Sequence, residues 1–421
     1  MDCCIIKLMN VTSRRVQYTY YSLTLLSTLA ASFIWGINTL FLLDAGLSNT
    51  AAFAANAFFT LGQVFFEVPT GVVADTRGRR TSYALGAATL LVTTLAYYWL
   101  WQIHGPFWAW AVVSAGLGLG FTFFSGATEA WLVDALNATG FTGSLDSVFG
   151  RGQAISGVAM LIGSVSGGLI AQATNLGVPY ILRAVVLGLT LLVALTYMRD
   201  WGFTPRKGLK PMQQVRSVLS SAIENGWRKP PVRWVMLSAP FTVGVSFYVF
   251  YAMQPYLLEL YGDPEAYGIA GLAAAIIACA QILGGMSVNF IRKFFARRTT
   301  ILIGAVAFSV LTVALLGIVE NFWAAIGFLV IWGLLFSLTS PVRQAYLNGL
   351  IRSEERATVL SFDALVGSSG GVVTQPALGR AADVYGYPQS YLISAVFQAG
   401  ALPFLLAARK QKPDSDIISK Q

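Results

Sequence analysis

Twelve apolar stretches of about twenty residues, separated by short polar turns, leave this chain few folds to choose from. At 1.5 Å of rise per residue, about twenty mostly apolar residues cross the hydrocarbon of a bilayer. Stretches of that kind lie near 19–42, 50–73, 82–102, 107–132, 149–174 and 179–198. Six more follow near 234–258, 266–290, 299–319, 322–346, 357–378 and 389–408. The polar segment between the two sets predicts a first six-helix bundle over 1–199, a linker over 200–232, and a second bundle with a short tail over 233–421. The expected fold is an all-α membrane protein of twelve transmembrane helices in two pseudo-symmetric bundles.

Composition agrees with a lipid-facing surface. Only 11% of the 421 residues are charged, against about 25% in a soluble domain whose surface must be wetted. The net charge of +9 suggests nucleic acid, but the Lys and Arg residues fall in short clusters between apolar runs, which speaks against it. Cys3, Cys4 and Cys279 have neither the number nor the spacing of a disulfide framework or a zinc site. Residues 1–17 show no apolar core followed by a small-residue cleavage site, so a cleaved leader is not expected.

The basic clusters orient the chain. Arg14 and Arg15 precede the first stretch, Arg77, Arg79 and Arg80 follow the second, and Arg206, Lys207 and Lys210 stand in the linker. Arg292, Arg297 and Arg298 follow the eighth stretch, and Arg409 and Lys410 the twelfth. Alternate loops carry almost no basic residues, Arg380 excepted. By the positive-inside rule both termini and the linker face the cytoplasm, with a bacterial inner membrane as the expected host.

The halves also repeat one another. RRTS (79–82) is answered by RRTT (297–300), EAWL (129–132) by QAYL (344–347), and GSVSGG (163–168) by GSSGG (367–371), in the same order. Repeated bundles of this kind place a substrate path at their interface near the membrane midplane.

Residues 71–80, GVVADTRGRR, follow the second stretch on its basic side. They resemble the signature of the major facilitator superfamily in the loop between helices 2 and 3. Gly71, Asp75, Gly78, Arg79 and Arg80 match it, and Arg77 stands one place later than the usual first basic residue. The resemblance implies a transporter that works by alternating access. It further implies that Asp75 accepts backbone N–H groups at the start of helix 11, near Ser353, as a latch on the cytoplasmic side. Anchoring of the basic residues to anionic lipid is the plainer role. A second GxxxDxxG, at Gly379, Asp383 and Gly386, lacks the basic run and is expected to be a simple turn. Helix 5 shows a partial form of the family's antiporter pattern in Gly150, Ala159, Gly163, Ser164, Gly167 and Gly168, with serine in place of proline. Gly163, Gly167 and Gly168, with Gly367, Gly370 and Gly371 in helix 11, are expected to let the two halves pack closely.

Ionisable residues within spans are costly and mark function. Glu67, Glu129, Asp134, Arg183, Arg343 and Asp363 are the candidates. The resemblance implies that helices 1, 4, 7 and 10 line the cavity, which singles out Glu129 and Arg343. Glu129, then Asp363, are the expected protonation sites; a pairing of Glu129 with Arg343 as an inner gate is an equal alternative. Asp134 and Glu67 are read as structural partners of the Arg clusters, and Arg183 as reaching toward outer headgroups. Trp35, Asn38, Tyr248, Tyr251 and Gln254 are candidate cavity residues, and an aromatic cavity poor in charge suits a lipophilic or cationic solute.

The expected function is therefore proton-coupled export of a small lipophilic or amphipathic compound, with proton-coupled or facilitated uptake of a metabolite as the alternative. A membrane enzyme fits less well. His104 is the single histidine, and no HExxH or phosphate-binding loop is present. No cofactor or metal is expected. The partners are a small solute, protons and the bilayer, and the expected state is a monomer.

Overall fold

The computed structural model describes residues 2–205, 220, 223–352 and 356–418. The first half contains α1 (Asp2–Ser32), α2 (Asn38–Asp44), α3 (Asn49–Arg77), α4 (Arg79–Gln102), α5 (Phe107–Phe124), α6 (Ala127–Ala138), α7 (Leu145–Ala173) and α8 (Val178–Tyr197). The second half contains α9 (Pro230–Tyr261), α10 (Tyr267–Ile291), α11 (Arg298–Leu316), α12 (Phe322–Asn348), α13 (Arg356–Tyr385), α14 (Tyr387–Ala399) and α15 (Ala401–Lys410). Residues 206–219 and 221–222 of the expected linker lie outside the described residues, as does Ser353.

Among the described residues, ten spans are long and apolar enough to cross a membrane. Two of these are broken helices: α5 continues into α6, and α14 into α15. The pair α1–α2 and the more polar α13 bring the layout to the twelve expected from the sequence. α13 carries Asp363, Gln375, Arg380 and Asp383 because much of it faces protein. It packs against α9 of its own half and α3 of the other.

The breaks have local causes. At Ser125–Gly126 the glycine adopts φ +67, a left-handed conformation that costs most residues a Cβ clash. Between α1 and α2 the chain turns at Trp35 and Gly36, and a Cβ on Gly36 would stand 2.7 Å from the Gly271 Cα. A side chain there would push α10 away.

The half-repeat is visible in how helices begin. Asp200, just past α8, accepts the Arg80 N–H at 2.8 Å. Asp416, in the tail past α15, accepts the Thr299 N–H at 2.8 Å and its hydroxyl at 2.9 Å. Each carboxylate satisfies orphan donors at the start of the helix that follows a basic cluster. The RRTS and RRTT segments are thus capped alike.

The cores show how the halves meet. Near the basic clusters, one core is built from Val16, Tyr20, Tyr83, Trp131 and Leu136, all of the first half. Others, around Ile301 and Leu405 and around Val232 and Tyr346, belong to the second. At the opposite end the cores merge. Leu258, Ala266 and Ala270 join a first-half cluster around Phe41 and Trp110, and Phe53 enters a second-half cluster with Tyr248 and Leu378.

Candidate functional site: a cavity roofed at one end

A cavity of about 860 Å³ opens among α1, α3, α5, α6, α7 and α8. Trp35, Gln63, Phe121, Ser125, Glu129 and Arg183 are among its lining residues. Glu67 faces it too, and its Oε1 accepts the Ser125 hydroxyl at 2.9 Å, beside the α5–α6 break. The expectation that Glu67 serves the Arg clusters is corrected: its helix turns it inward, where a serine freed by the helix break supplies the donor. Glu129 lines the same cavity in the first turn of α6 and is exposed to it. Asp134 lies at the far end of α6, outside this lining, and its carbonyl occupies the space a Cβ on Gly202 would need.

A smaller cavity of about 290 Å³ in the second half is lined by Ser238, Thr242, Ser340, Arg343 and Asp363. Arg343 binds Asp363 through two parallel hydrogen bonds, Nε to Oδ2 at 3.1 Å and Nη2 to Oδ1. In this structure Arg343 is thus paired within its own half and not with Glu129. Arg343 on α12 has a carboxylate on the neighbouring α13, whereas Glu129 belongs to the other half.

Arg183 does not reach toward headgroups. It is 3% exposed, its Nε donates to the Thr94 hydroxyl at 3.0 Å, and its guanidinium lies 6.0 Å from the centre of the Phe121 ring. It stands near the start of α8, which turns it into the bundle rather than toward lipid.

The roof of the cavity is made by both halves. Gln254 donates to the Trp35 carbonyl at 2.9 Å and accepts the Thr39 N–H at 2.8 Å. It thereby fills one orphan acceptor and one orphan donor at the α1–α2 break. It is fully buried, which corrects its assignment as a cavity residue. Trp35 lines the cavity and packs on Phe250 of the second half, 5.4 Å between ring centres. Asn38 is tied to Asn56 and Tyr180 within its own half. Tyr248 is buried in the second-half core, bonded to Ser390. Neither lines the cavity. Tyr251 stands beside Phe250, 5.6 Å between rings.

Asp383 departs most from expectation. Its Oδ1 accepts the Asn49 N–H at 2.9 Å and its Oδ2 the Thr50 N–H at 2.8 Å, and the Thr50 hydroxyl also donates to it. The carboxylate thus caps α3 of the other half. The reading of Gly379, Asp383 and Gly386 as a plain turn is corrected. Gly379 lets α13 approach closely, since a Cβ there would meet the Asn49 carbonyl at 2.9 Å. Tyr387 donates to Asn49 beside it, and Gln375 to Thr60 at 3.4 Å.

Asp75 lies at the opposite, basic end. It forms an ion pair with Arg79 at 2.8 Å, one turn away across the α3–α4 junction. Gly78 takes φ +102 at that junction, with Asp200 packed where a side chain would stand. Arg80 bonds the Leu195 carbonyl, and Arg77 is the last residue of α3. A Cβ on Gly71 would meet nothing within 4 Å.

The helix-5 and helix-11 glycines divide. Gly168 crosses the halves: a Cβ there would stand 2.5 Å from the Tyr267 carbonyl and 3.0 Å from the Gly271 Cα. Gly163 and Gly167 instead press on α1 at Ser32 and Phe33, and Gly367, Gly370 and Gly371 on α9 at Val243, Pro240 and Phe247. Those five are corrected from packing between halves to packing within one. Sequence reasoning missed Asp383, Thr94 and the burial of Arg183. The repeated GxxxDxxG was the signal available for the first.

An all-helical membrane protein with a cavity in its interior and a roof made jointly by two repeated halves is, as a class, a polytopic transporter. The sequence profile of the Major Facilitator Superfamily matches residues 20–374 and again 270–420, and the chain belongs to that family. A curated relative, Protein ZINC INDUCED FACILITATOR 1 of Arabidopsis thaliana, is 28% identical over 134 residues, 31% of this chain and 27% of that protein. The match therefore spans little more than a quarter of the relative's length. Among solved structures, the nucleoside transporter NupG is similar with TM-score 0.77 and 12% identity, over 94% of this chain and 99% of that one. A D-xylose–proton symporter follows at TM-score 0.69 and 15% identity, over 96% and 99%. An inward-facing, occupied bacterial homologue of the human lysosomal transporter Spinster gives TM-score 0.67 and 16% identity, over 97% and 99%. At these identities the likeness is one of fold.

Proposed function

We propose that the chain is a proton-coupled secondary transporter that exports a small amphipathic solute across a plasma membrane. Two bundles, 1–199 and 233–421, joined by the linker 200–232, rock about a central site in this reading. The positive-inside pattern assigns the basic end to the cytoplasm, so the roofed cavity corresponds to a cytoplasm-facing state. Asp383 and Gln254 act as the outer latch in that state, and Asp75 as the inner latch in the opposite one.

One observation carries the reading: two carboxylates, Glu67 and Glu129, line the cavity and neither forms an ion pair among the described residues. A carboxylate exposed alternately to two sides can load a proton from one and release it to the other. Asp363, neutralised by Arg343, suits a gate better than a proton carrier. The partial helix-5 pattern favours export over uptake.

The test uses proteoliposomes holding a pH-sensitive dye under an imposed proton gradient. Solutes are added singly, and the expected result is solute-dependent collapse of the gradient, lost in Glu129→Gln. A normal pH-dependent rate in Glu129→Gln overturns the assignment of Glu129. Solute flux that never moves protons overturns the coupling.

A further inference from the structure

We propose that Arg183 makes the cavity a site for organic anions, so that the transported solute carries a carboxylate or comparable oxyanion on an apolar body. This rests on the transport reading and names its substrate class.

The guanidinium carries a full charge inside the first bundle, and such a charge is costly unless it is paired. Arg183 pairs with no carboxylate among the described residues. Its protein hydrogen bond is the one from Nε to Thr94. The five N–H donors of an arginine form a planar fork suited to a carboxylate, and here the two Nη groups have no protein acceptor among the described residues. Neither Nη is sealed away without a partner, although the residue as a whole is 3% exposed. The side chain forms part of the cavity wall. The unused face of the fork therefore looks into the cavity.

The surroundings do not supply the missing charge. Phe121 lies 6.0 Å from the guanidinium carbon, at the outer limit of a useful cation–π contact. Glu67 accepts from Ser125, one helical turn beyond Phe121. What remains is a pre-placed bidentate donor with aromatic walls, Phe121 and Trp35, for an apolar body. Trp35 packs on Phe250 of the second half, so the apolar body of a bound anion sits beside a contact between the halves.

The test measures thermal stabilisation of the full chain in lipid nanodiscs by three probes of one shape: 3-phenylpropionate, 3-phenylpropionamide and 3-phenylpropylamine. The carboxylate is expected to half-saturate at about tenfold lower concentration than the amide, the scale of a charge-assisted bidentate contact, and the amine to give no shift. Arg183→Gln removes that preference and Arg183→Lys keeps part of it. If Arg183→Gln does not fold, the order of the three probes on the unaltered protein decides. Equal shifts, no shift with any probe, or a carboxylate preference surviving in Arg183→Gln overturns the inference. Carboxylate-selective binding without any solute flux upholds the anion site and overturns the transport reading. Proton-coupled flux of neutral or cationic solutes, with no carboxylate preference, does the reverse.

Discussion

The two ends of α3 carry the same kind of device to different purposes. At its first turn, Asp383 from the other half caps Asn49 and Thr50. At its last turn, Asp75 within the matching GxxxDxxG pairs with Arg79 of its own half. A helix has orphan N–H groups at its start alone, so a carboxylate from another element can cap α3 only at the Asp383 end. Asp75, at the far end of α3, cannot cap α3 itself, and the family resemblance implies a helix start near Ser353 as its partner. In the proposed cycle the two carboxylates brace opposite states. Asp383 stands on α13 and Asp75 on α3, and the two helices are in contact.

The largest effect should come from steric damage to the roof. Gly168→Val places side-chain atoms against the Tyr267 carbonyl and the Gly271 Cα, which are backbone and cannot rotate aside. Overpacking of this kind costs about 1–3 kcal/mol, so the roofed state should fall by roughly fivefold to somewhat over a hundredfold relative to the open one, at tenfold per ~1.4 kcal/mol. Gly304→Val is the matched control, because nothing stands within 4 Å of its Cβ position. Spin labels on the two rims of the Asp383 end would report the separation by pulsed dipolar spectroscopy. Equal distance distributions in Gly168→Val and the unaltered protein would sink the assignment of that contact as part of the seal.

A smaller effect is expected for Asp383→Ala. It removes an acceptor of two N–H groups and a hydroxyl at a helix start, where loss of a cap costs ~0.5–2 kcal/mol. The site is exposed at the rim, which keeps the effect toward the low side and predicts a roughly threefold to tenfold loss of the roofed state. The same rim distances measure it. Because Thr50 contributes both a backbone and a side-chain donor, Thr50→Val should reproduce only part of the change. If Asp383→Ala leaves the rim closed while Gly168→Val opens it, the roof is held by packing and Gln254, and Asp383 is no latch.

Most of the architecture was legible in the sequence because a bilayer imposes a length on every apolar run and a charge bias on every loop. The helix breaks were less so: nothing in the composition of 19–42 distinguishes Trp35 and Gly36 as a turn held open by Gln254. The site was legible in residue type more than in direction. Glu129 was singled out as cavity-lining, but which way Glu67, Arg183 and Gln254 point depends on helix rotation, which a hydrophobic pattern constrains weakly when the spans are apolar all round. Asp383 illustrates a different limit. The motif was visible, but its meaning required knowing that the start of α3 lies beside the end of α13, a contact 334 residues apart in sequence.

The smallest and most informative change is Asp75→Asn. In the state described, Asp75 and Arg79 are each about a fifth exposed, and their ion pair is local. Such partly exposed pairs contribute ~0.2–1 kcal/mol, so loss of this pair alone should move thermal stability little. The amide also keeps one oxygen able to accept, which limits the damage to any helix-start contact. Its consequence should appear instead in the equilibrium between states: with the opposite state less well braced, the roofed population should rise a few-fold and turnover should slow. Spin labels at the basic rim, compared with those at the Asp383 rim, separate this from general loosening. A wider basic rim with an unchanged or tighter Asp383 rim supports paired latches of opposite sign. If both rims loosen together, Asp75 merely holds the α3–α4 junction in shape, and the likeness between the two GxxxDxxG segments is one of geometry without a shared role.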